Sequence, residues 1–307
     1  MEVAEARDRI AEHLVGRARE LDLVLAAVAA GRDILLEGPP GTSKTTLLRA
    51  ITGEWGIPLL FVEGNADLTP ARLVGHHNPA RVLREDYSAD NFVAGPLVEA
   101  MRSGGFLYIE EFNRAPEDTV NTLLTAMAER LIAVPRVGVV RAEPTFRVVA
   151  STNPFDNVGT ARLSTSVHDR LCRLAVDYQD AAAEEAIVAW RTAQDERRPS
   201  EGETCSRLCA DCVAVTRATR SHPEIRQGSS VRGAIDSVLI ARQLAALRRQ
   251  SLEGDEPTYQ DVVYDAMVVA LSGRVQLDET SECTPEQVLR EIWEDHFVLQ
   301  PAAASPG

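Results

Sequence analysis

Lysine is almost absent from the sequence. The chain has 32 basic side chains in 307 residues, and Lys44 is the only lysine among them. A chain that uses arginine everywhere else has kept lysine at this one position, within GPPGTSKT, residues 38 to 45. This segment is either an ordinary turn rich in glycine and proline or a loop that binds phosphate groups.

An excess of positive charge is also lacking. The formal net charge is −14 and the isoelectric point is near 5.0. These values argue against broad electrostatic binding of DNA or RNA, although a locally basic surface remains compatible with them. Aromatic residues make up only 5% of the chain, so we expect a core built mainly from Leu, Val, Ile and Ala.

Long apolar runs and a signal peptide are missing as well. No apolar segment approaches the roughly 18 residues expected of a transmembrane helix. The N-terminus, MEVAEARDRIAEHL, lacks the basic start and apolar stretch of a signal peptide. We therefore expect a cytoplasmic protein with no membrane partner, whose five cysteines are reduced thiols.

Two groups of potential metal ligands have simpler interpretations. Cys205, Cys209 and Cys212 have the C-x3-C-x2-C spacing of some iron–sulfur enzymes, but this spacing also places them on one face of a helix. Buried cysteine acts as a small apolar side chain, so we interpret the group as core residues. The pair His76-His77 lacks nearby partner ligands, and we interpret it as part of a surface loop.

Short apolar strands alternate with helices in the first part of the chain. The predicted strands are residues 32–37, 58–63, 106–110, 146–151 and 171–176. The predicted helices are residues 3–30 with a break at Val15-Gly16, 45–53, 96–103 and 116–133, and a hairpin is predicted over residues 134–144. Strands that alternate with helices indicate a parallel α/β sheet.

From about residue 180 onwards the pattern is helical. The predicted helices are residues 181–193, 205–219, 231–250, 258–271 and 285–297. The fold class is therefore α/β, a parallel sheet flanked by helices, followed by a smaller all-α domain. We predict an α/β domain over residues 1–178, an all-α domain over 179–300 and a disordered tail over 301–307.

The segment GPPGTSKT fits the form of a phosphate-binding loop, G-x4-G-K-[ST], between a strand and a helix. Backbone N–H groups would cradle phosphate oxygens, Lys44 would neutralise the terminal phosphates, and the Thr45 hydroxyl would ligate Mg²⁺. Ser43 departs from the pattern, because the second glycine is expected there. We expect a small residue to be tolerated, since the position need not take a positive φ. The predicted nucleotide-binding residues are Gly38, Pro39, Pro40, Gly41, Thr42, Ser43, Lys44, Thr45 and Thr46.

The run FLYIEEFNRA, residues 106 to 115, is an apolar strand that ends in two carboxylates. In a P-loop enzyme the first such carboxylate helps to hold Mg²⁺, and the second positions and activates water. We therefore predict that Glu110 holds the metal together with Thr45, and that Glu111 is the catalytic base. Aspartate is usual at the first position, and the longer Glu110 must hold a hydrated ion differently. A solvated acidic turn is the alternative, but the order of strands after the phosphate loop favours the catalytic interpretation.

Taken in order, these motifs resemble the MoxR family of AAA+ ATPases. The phosphate loop is similar to that of the family, which often has a small residue other than glycine before its lysine. The further segments that resemble the family are GPLVEA (95–100), EEFNR (110–114), VVASTNPFDNVGTARLSTSVHDRL (148–171) and RSHPEIRQGSSVRGAI (220–235). The resemblance covers residues 12–275. It implies a P-loop AAA+ nucleotide-binding domain followed by an all-α lid.

The resemblance also implies roles for residues outside the phosphate loop. Asn153 would be the first sensor, hydrogen-bonded to the attacking water or the γ-phosphate. Arg170 would be the arginine finger that acts on the nucleotide of a neighbouring subunit, and Arg162 competes for that role. Arg232, in the lid, would be the second sensor. For each arginine, an ordinary surface charge is the alternative.

Two other regions follow the pattern of the family. Val15-Gly16 resembles the contact on the adenine side of the nucleotide, and a simple break between helices explains the pair equally well. The irregular region 64–95 resembles an insertion found in this branch of AAA+ proteins. This region and the hairpin at 134–145 are where related ring ATPases contact their clients.

The resemblance implies ATP and Mg²⁺ as cofactors, a ring that is usually a hexamer, and a partner with a von Willebrand factor A domain. We expect an ATP-hydrolysing, chaperone-like remodeller that matures or activates a client protein. A nucleotide-gated binding switch with little hydrolysis is an alternative, because Glu110 stands in place of aspartate. A nucleic-acid-associated ring ATPase is a further alternative, against which the net charge of −14 weighs.

Overall fold

A computed structural model describes residues 3–81, 89–154, 163–193, 207–253 and 256–299. The chain divides into two compact units, Met1–Asp177 and Tyr178–Gly307. In the described part of the chain, no helix is both long enough and apolar enough to cross a membrane.

The first unit is built on a five-stranded parallel sheet. Its strands are β1 (Ile34–Glu37), β2 (Leu59–Glu63), β5 (Phe106–Glu110), β8 (Arg147–Thr152) and β9 (Cys172–Ala175). They lie side by side in the order β2-β5-β8-β1-β9. Because all five are parallel, their carboxyl ends lie at one edge of the sheet. The segments that follow β1, β5 and β8 are therefore brought to the same edge, as expected for ligand sites in open α/β sheets.

Both faces of the three central strands β5, β8 and β1 are buried, which explains their apolar sequences, whereas the edge strand β9 is mostly exposed. Alternate residues point to opposite faces. One face carries Leu35, Leu107, Ile109, Val148 and Ala150, and the other carries Ile34, Leu36, Phe106, Tyr108 and Val149. Each fully buried leucine or isoleucine side chain contributes about 1.5–3 kcal/mol, so the sheet is a rigid support for the loops at its edge.

Helices cover the two faces. Helices α1 (Val3–Ala11), α2 (Ala18–Ala29) and α3 (Lys44–Trp55) pack on the face that carries Tyr108. The helices Pro96–Ser103 and Glu117–Glu129 pack on the other face. In α3 the buried Leu47, Leu48 and Ile51 follow helical spacing. The sequence-based helix over 45–53 is thus confirmed and is slightly longer than expected.

Short elements complete the first unit. They are the helices Pro70–Val74 and Thr165–Arg170, the 3₁₀ turns Ala89–Asn91 and Phe112–Arg114, and the strands β3 (Gly75–His77), β4 (Phe92–Ala94), β6 (Leu131–Val134) and β7 (Gly138–Arg141). Strands β3 and β4 form one antiparallel pair, and β6 and β7 form another. The irregular region predicted at 64–95 therefore contains a short helix and a ribbon.

The helix predicted over 116–133 is wrong at its end. It stops at Glu129, and Arg130 takes a left-handed conformation with φ of 52°. The following residues belong to β6, in which Ile132 and Val134 are buried against the opposite strand β7. Ile132 and Val134 are β-branched, which favours a strand, and this preference outweighs the helical spacing of the apolar residues.

The second unit is helical, with one small exception. Its helices are Ala181–Thr192, Arg207–Ala218, Val231–Arg248, Glu256–Leu271 and Pro285–Glu294, and a π-helical turn spans Asp295–Leu299. Strands β10 (Ile225–Gln227) and β11 (Gln276–Leu277) form an antiparallel pair that the sequence did not predict. The predicted tail, residues 301–307, lies outside the described residues.

The cysteines of the second unit lie where the sequence interpretation placed them, as far as they are described. Cys209 and Cys212 are buried in the core of the unit, with 2% and 3% of their surface exposed. Cys205 lies outside the described residues. Among the described residues, no cluster of histidine, cysteine and carboxylate side chains could hold a metal ion.

Candidate nucleotide-binding site

The segment between β1 and α3 forms the centre of the candidate site. The backbone N–H of Gly38 donates to the carbonyl of Thr152 at 3.1 Å, which ties the loop to the end of β8. A Cβ atom on Gly38 would lie 1.9 Å from the carbonyl oxygen of Val176. Only glycine fits there, so this residue fixes where the loop leaves the sheet.

The conformation of Ser43 corrects the sequence-based expectation. The sequence analysis held that Ser43 need not take a positive φ, yet its φ is 65° and its ψ is 18°, in the left-handed region. Gly41 also has a positive φ, of 76°. The turn therefore has the geometry of a loop with glycine at both positions. A residue other than glycine bears a strain of about 1–2 kcal/mol in that region.

Lys44 begins α3, and its side chain folds back over the loop. Its Nζ donates to the carbonyls of Gly38 at 2.9 Å and Pro39 at 2.8 Å, and contacts Thr42 Oγ1 at 3.2 Å. Only 8% of its surface is exposed. Buried lysine is costly unless it is hydrogen-bonded, and these oxygens of the loop meet that need.

The start of α3 suits an anion. The helix begins at Lys44 without a side-chain cap and with no acidic residue in its first turn. The N–H groups of a first helical turn point outward, and the helix dipole adds positive potential. Together with the Lys44 ammonium, this donor set fits the phosphates of a nucleotide.

Thr45, the next residue, contacts the strand that ends in the two carboxylates. Its Oγ1 donates to the hydroxyl of Tyr108 in β5 at 3.4 Å. The same Tyr108 hydroxyl lies 3.0 Å from Oγ of Ser151 in β8. Glu110 ends β5 and is partly exposed. The hydroxyl and the carboxylate predicted to hold Mg²⁺ thus lie on adjoining elements at the same edge of the sheet.

Glu111, the predicted base, lies just beyond the end of β5 in a strained conformation. Its φ of 52° and ψ of 43° are left-handed. Oε2 of Glu111 lies 3.2 Å from Nε of Arg114. A Cβ atom on Gly64 would lie 2.3 Å from the carbonyl oxygen of Glu111. Gly64, which the sequence analysis did not identify, therefore allows the close backbone approach that holds this turn.

The other predicted residues lie in three different places. Asn153 directly follows β8 and is partly exposed. Arg170 ends the short helix Thr165–Arg170 and is exposed, with Nη1 donating to the carbonyl of Ser166 at 3.1 Å. Arg232 is an exposed residue in the first turn of Val231–Arg248, in the second unit. Arg162, the alternative finger, lies outside the described residues.

The Val15-Gly16 step is followed by a residue that sequence reasoning missed. Gly16 has φ of 63°, and Arg17, which follows it, is buried, with only 3% of its surface exposed. Nη2 of Arg17 donates to the carbonyls of Thr42 at 3.0 Å and Asp177 at 2.6 Å. Arg17 therefore links the predicted adenine-side segment to the phosphate loop.

A cavity of about 310 Å³ opens beside this segment. It is lined by Ala11, Leu14, Gly16, Arg17, Ala18, Arg19, Glu20 and Leu21. Four of these eight residues are apolar and three are charged, and ligand pockets typically combine apolar walls with a few polar groups. The pocket is thus compatible with a nucleobase contact at Gly16.

Comparison with known proteins gives consistent matches. Residues 33–171 match the AAA domain of the dynein-related subfamily. Gas vesicle ATPase GvpN of Ancylobacter aquaticus is 28% identical over 261 residues, which are 79% of this chain and 69% of GvpN. Gas vesicle ATPase GvpN2 of Halobacterium salinarum is 26% identical over 294 residues, which are 91% and 77% of the two chains. Protein CbbQ of Hydrogenophilus thermoluteolus is 32% identical over 185 residues, which are 60% and 66%.

Solved structures share the fold. A point mutant of Thermotoga maritima RuvB matches with a TM-score of 0.54 and 18% identity over 84% of this chain and 71% of RuvB. A crystal structure of a protein from Cytophaga hutchinsonii matches with a TM-score of 0.51 and 20% identity over 94% and 92%. At these identities the likeness concerns the fold, an AAA+ sheet with flanking helices.

Proposed function

Since the chain belongs to the MoxR family of AAA+ ATPases, we propose that it couples ATP hydrolysis to the remodelling of a client protein. In this role it is a chaperone-like ATPase that matures or activates the client and acts in the cytoplasm. Among its relatives, the proteins named gas vesicle ATPase carry the activity in their names. Those names support the ATP-hydrolysing part of the proposal.

The observation that carries the catalytic part of the proposal is the convergence of three strand ends. The phosphate loop follows β1, the two carboxylates end β5, and Asn153 follows β8. Lys44 and the first turn of α3 would hold the phosphates. To reach them, the Lys44 ammonium must exchange part of its hydrogen bonding to the Gly38 and Pro39 carbonyls.

Thr45 and Glu110 are the proposed metal-site residues, because both supply oxygen, the ligand type that Mg²⁺ prefers. When bound, Mg²⁺ would neutralise the charge that develops on the phosphate oxygens. The Glu110 side chain is one methylene longer than the usual aspartate, so its carboxylate would hold a hydrated ion differently.

Glu111 would accept the proton of the attacking water, and Asn153 would orient that water. The left-handed backbone of Glu111 supports this assignment, since strain of this kind persists where the surroundings fix a functional side chain. Arg114, whose Nε lies 3.2 Å from Oε2 of Glu111, would hold the carboxylate in place.

Arg170 and Arg232 are proposed to act on the transferring phosphoryl group. The exposure of Arg170 suits a finger that reaches the nucleotide of a neighbouring subunit. Activity would then require a ring, which we propose to be a hexamer. The proposed protein partner has a von Willebrand factor A domain, and the β3–β4 and β6–β7 ribbons are the proposed client contacts.

A nucleotide-gated switch with little hydrolysis is the second candidate, favoured by Glu110 in place of aspartate. A nucleic-acid motor is the third, and only the RuvB-like fold favours it. The net charge of −14 weighs against the motor. A salt-dependent DNA mobility shift would be required to support it.

The deciding experiment is Mg²⁺-dependent ATP hydrolysis per subunit as a function of protein concentration. Activity that rises with concentration in the wild type, and stays low in Arg170→Ala, supports a ring with its finger in trans. Arg102→Ala, an exposed arginine on the helix Pro96–Ser103, is the matched control and should behave as wild type. ATP binding without turnover at any concentration would favour the switch.

A further inference from the structure

A buried phenol contacts one of the two proposed metal-site residues, Thr45, and stands two residues before the other, Glu110. Tyr108 is fully buried in the middle of β5, and its ring packs edge-on against that of Phe61 at 5.6 Å. The hydroxyl, at the far end of the ring, contacts Thr45 at 3.4 Å and Ser151 at 3.0 Å. Three elements that carry or precede predicted catalytic residues, α3, β5 and β8, therefore meet at this one oxygen.

The direction of the bond to Thr45 matters for metal binding. A threonine hydroxyl has one proton to donate and two lone pairs to offer. Thr45 donates its proton to the Tyr108 oxygen. This bond points the Thr45 lone pairs away from the sheet, where a cation can use them. Without an acceptor on that side, the hydroxyl could rotate and present its proton to the cation.

Glu110 is the second neighbour of the phenol. Tyr108 and Glu110 are two residues apart in β5 and lie on the same face of the strand. The Tyr108 phenol is protonated at neutral pH, because an ordinary tyrosine has a pKa of about 10. Its proton can therefore be donated on the side of the strand on which Glu110 lies.

We propose that Tyr108 is a positioning residue for catalysis, whose hydroxyl orders Thr45 and Glu110 for Mg²⁺ binding. The inference rests on the proposed Mg²⁺ site. It adds a residue that touches neither phosphate nor metal and acts through Thr45 and Glu110.

A purely structural role is the competing explanation. The Tyr108 hydroxyl must have a hydrogen-bond partner because it is buried, and Ser151 alone would satisfy that need. In that case removal of the hydroxyl would lower the thermal stability and change nucleotide affinity equally with and without Mg²⁺. The two explanations therefore differ in the effect of Mg²⁺ on binding.

The test is calorimetric titration of Tyr108→Phe and wild type with a non-hydrolysable ATP analogue, once with Mg²⁺ and once with EDTA. The measured quantity is the gain in affinity that Mg²⁺ gives. We expect a gain about tenfold smaller in Tyr108→Phe, the effect of losing one hydrogen bond to a charged group. Affinity in EDTA should match the wild type.

Tyr259→Phe is the matched control, since Tyr259 is also buried and its hydroxyl donates to Asp211 at 2.7 Å in the second unit. It should lower the melting temperature and leave the Mg²⁺ gain unchanged. Thr45→Ala, alone and combined with Tyr108→Phe, completes a double-mutant cycle. If Tyr108 acts through Thr45, adding Tyr108→Phe to Thr45→Ala should reduce the Mg²⁺ gain little further.

The outcomes separate cleanly. A full Mg²⁺ gain in Tyr108→Phe, or an equal loss of affinity with and without Mg²⁺, overturns the positioning role and leaves the proposed function intact. No Mg²⁺ gain in the wild type overturns the proposed metal site and this inference with it. If Tyr108→Phe does not fold, Tyr108→Met replaces it, because it also removes the hydroxyl and its flexible apolar side chain fills a buried space; an unchanged gain there then contradicts the proposal.

Discussion

One buried charge in each unit, Lys44 in the first and Glu184 in the second, is held in a different way. In the first unit the Lys44 ammonium is hydrogen-bonded to carbonyl oxygens of its own loop. In the second unit the buried carboxylate of Glu184 faces two guanidinium groups, Arg217 at 3.1 Å and Arg220 at 2.8 Å. Backbone oxygens can be exchanged for a ligand's phosphates without breaking an ion pair, whereas the cluster around Glu184 cannot open without separating opposite charges.

Backbone strain follows the same division. Of the five residues other than glycine with positive φ in the described chain, Ser43, Glu111, Arg130 and Arg136 are in the first unit, and only Arg249 is in the second. Ser43 and Glu111 stand at the candidate site. Strained backbone often marks functional positions, so the left-handed conformations of Ser43 and Glu111 fit a working site.

Glu111→Gln should have the largest effect, because it removes the proposed base and keeps the side-chain shape. We expect turnover to fall about 10²–10⁴-fold with ATP affinity retained, since general base catalysis contributes that much. Single-turnover hydrolysis and calorimetric titration measure the two quantities. Glu117→Gln, in the first turn of the next helix, is the control. If turnover in Glu111→Gln stayed near that of the wild type, Glu111 would not be the base and its strained backbone would have no catalytic role.

Glu184→Gln should have a large effect of another kind. The substitution leaves two arginines without their buried carboxylate, which costs about 3 kcal/mol in such clusters. We expect a lower melting temperature and faster hydrogen exchange in the helix Ala181–Thr192. Glu279→Gln is the control, since the exposed pair with Arg226 contributes little. If Glu184→Gln melted like the wild type, the cluster would not be structural.

The comparison also shows which features the sequence can predict. The central strands β1, β5 and β8 were predictable because both of their faces are buried, so each contains a short apolar run. The phosphate loop was predictable because its chemistry requires a fixed spacing of Gly38, Lys44 and Thr45. Nucleotide-binding motifs consist of residues that are close together in sequence, so they can be recognised before the fold is known.

Features that depend on distant contacts could not be predicted. The partners of Arg17 are 25 and 160 residues away in sequence, and the contact of Tyr108 with Thr45 joins residues 63 apart. The left-handed conformation of Ser43 is imposed by the loop against the intrinsic preference of serine. The β10–β11 pair has strands of three and two residues, too short to leave a period in the sequence.

Two aspartates give the units opposite responses to acid. Burial raises the pKa of Asp33 in the first unit, despite the hydrogen bond from the Val148 N–H. Burial would also raise the pKa of Asp211 in the second unit, but hydrogen bonds from His296 and Tyr259 outweigh it and lower the pKa. The unfolded value for both is about 3.9.

The two directions predict opposite pH trends. Native Asp33 binds its proton before the unfolded chain does, so its contribution to stability should rise as pH falls from 7 towards about 4. The contribution of Asp211 is present above about pH 4 and should be lost below it, as pH falls towards the lowered folded pKa. Melting curves of Asp33→Asn and Asp211→Asn, each subtracted from wild type across this range, measure the trends. Parallel curves for the two variants would contradict the comparison.

Ser43→Gly should have the smallest effect, and it tests whether strain at the site has a function. Glycine takes the observed φ of 65° without a steric penalty, so relief of strain should stabilise the protein by about 1 kcal/mol. Arg249→Gly, at the matching left-handed position in the second unit, should stabilise to a similar degree. Differential scanning calorimetry measures both, and ATP hydrolysis is followed in parallel. Arg249→Gly should leave turnover unchanged. Equal turnover in Ser43→Gly would mean that the strain is only tolerated, whereas slower turnover would mean that a rigid Ser43 holds the loop for Lys44.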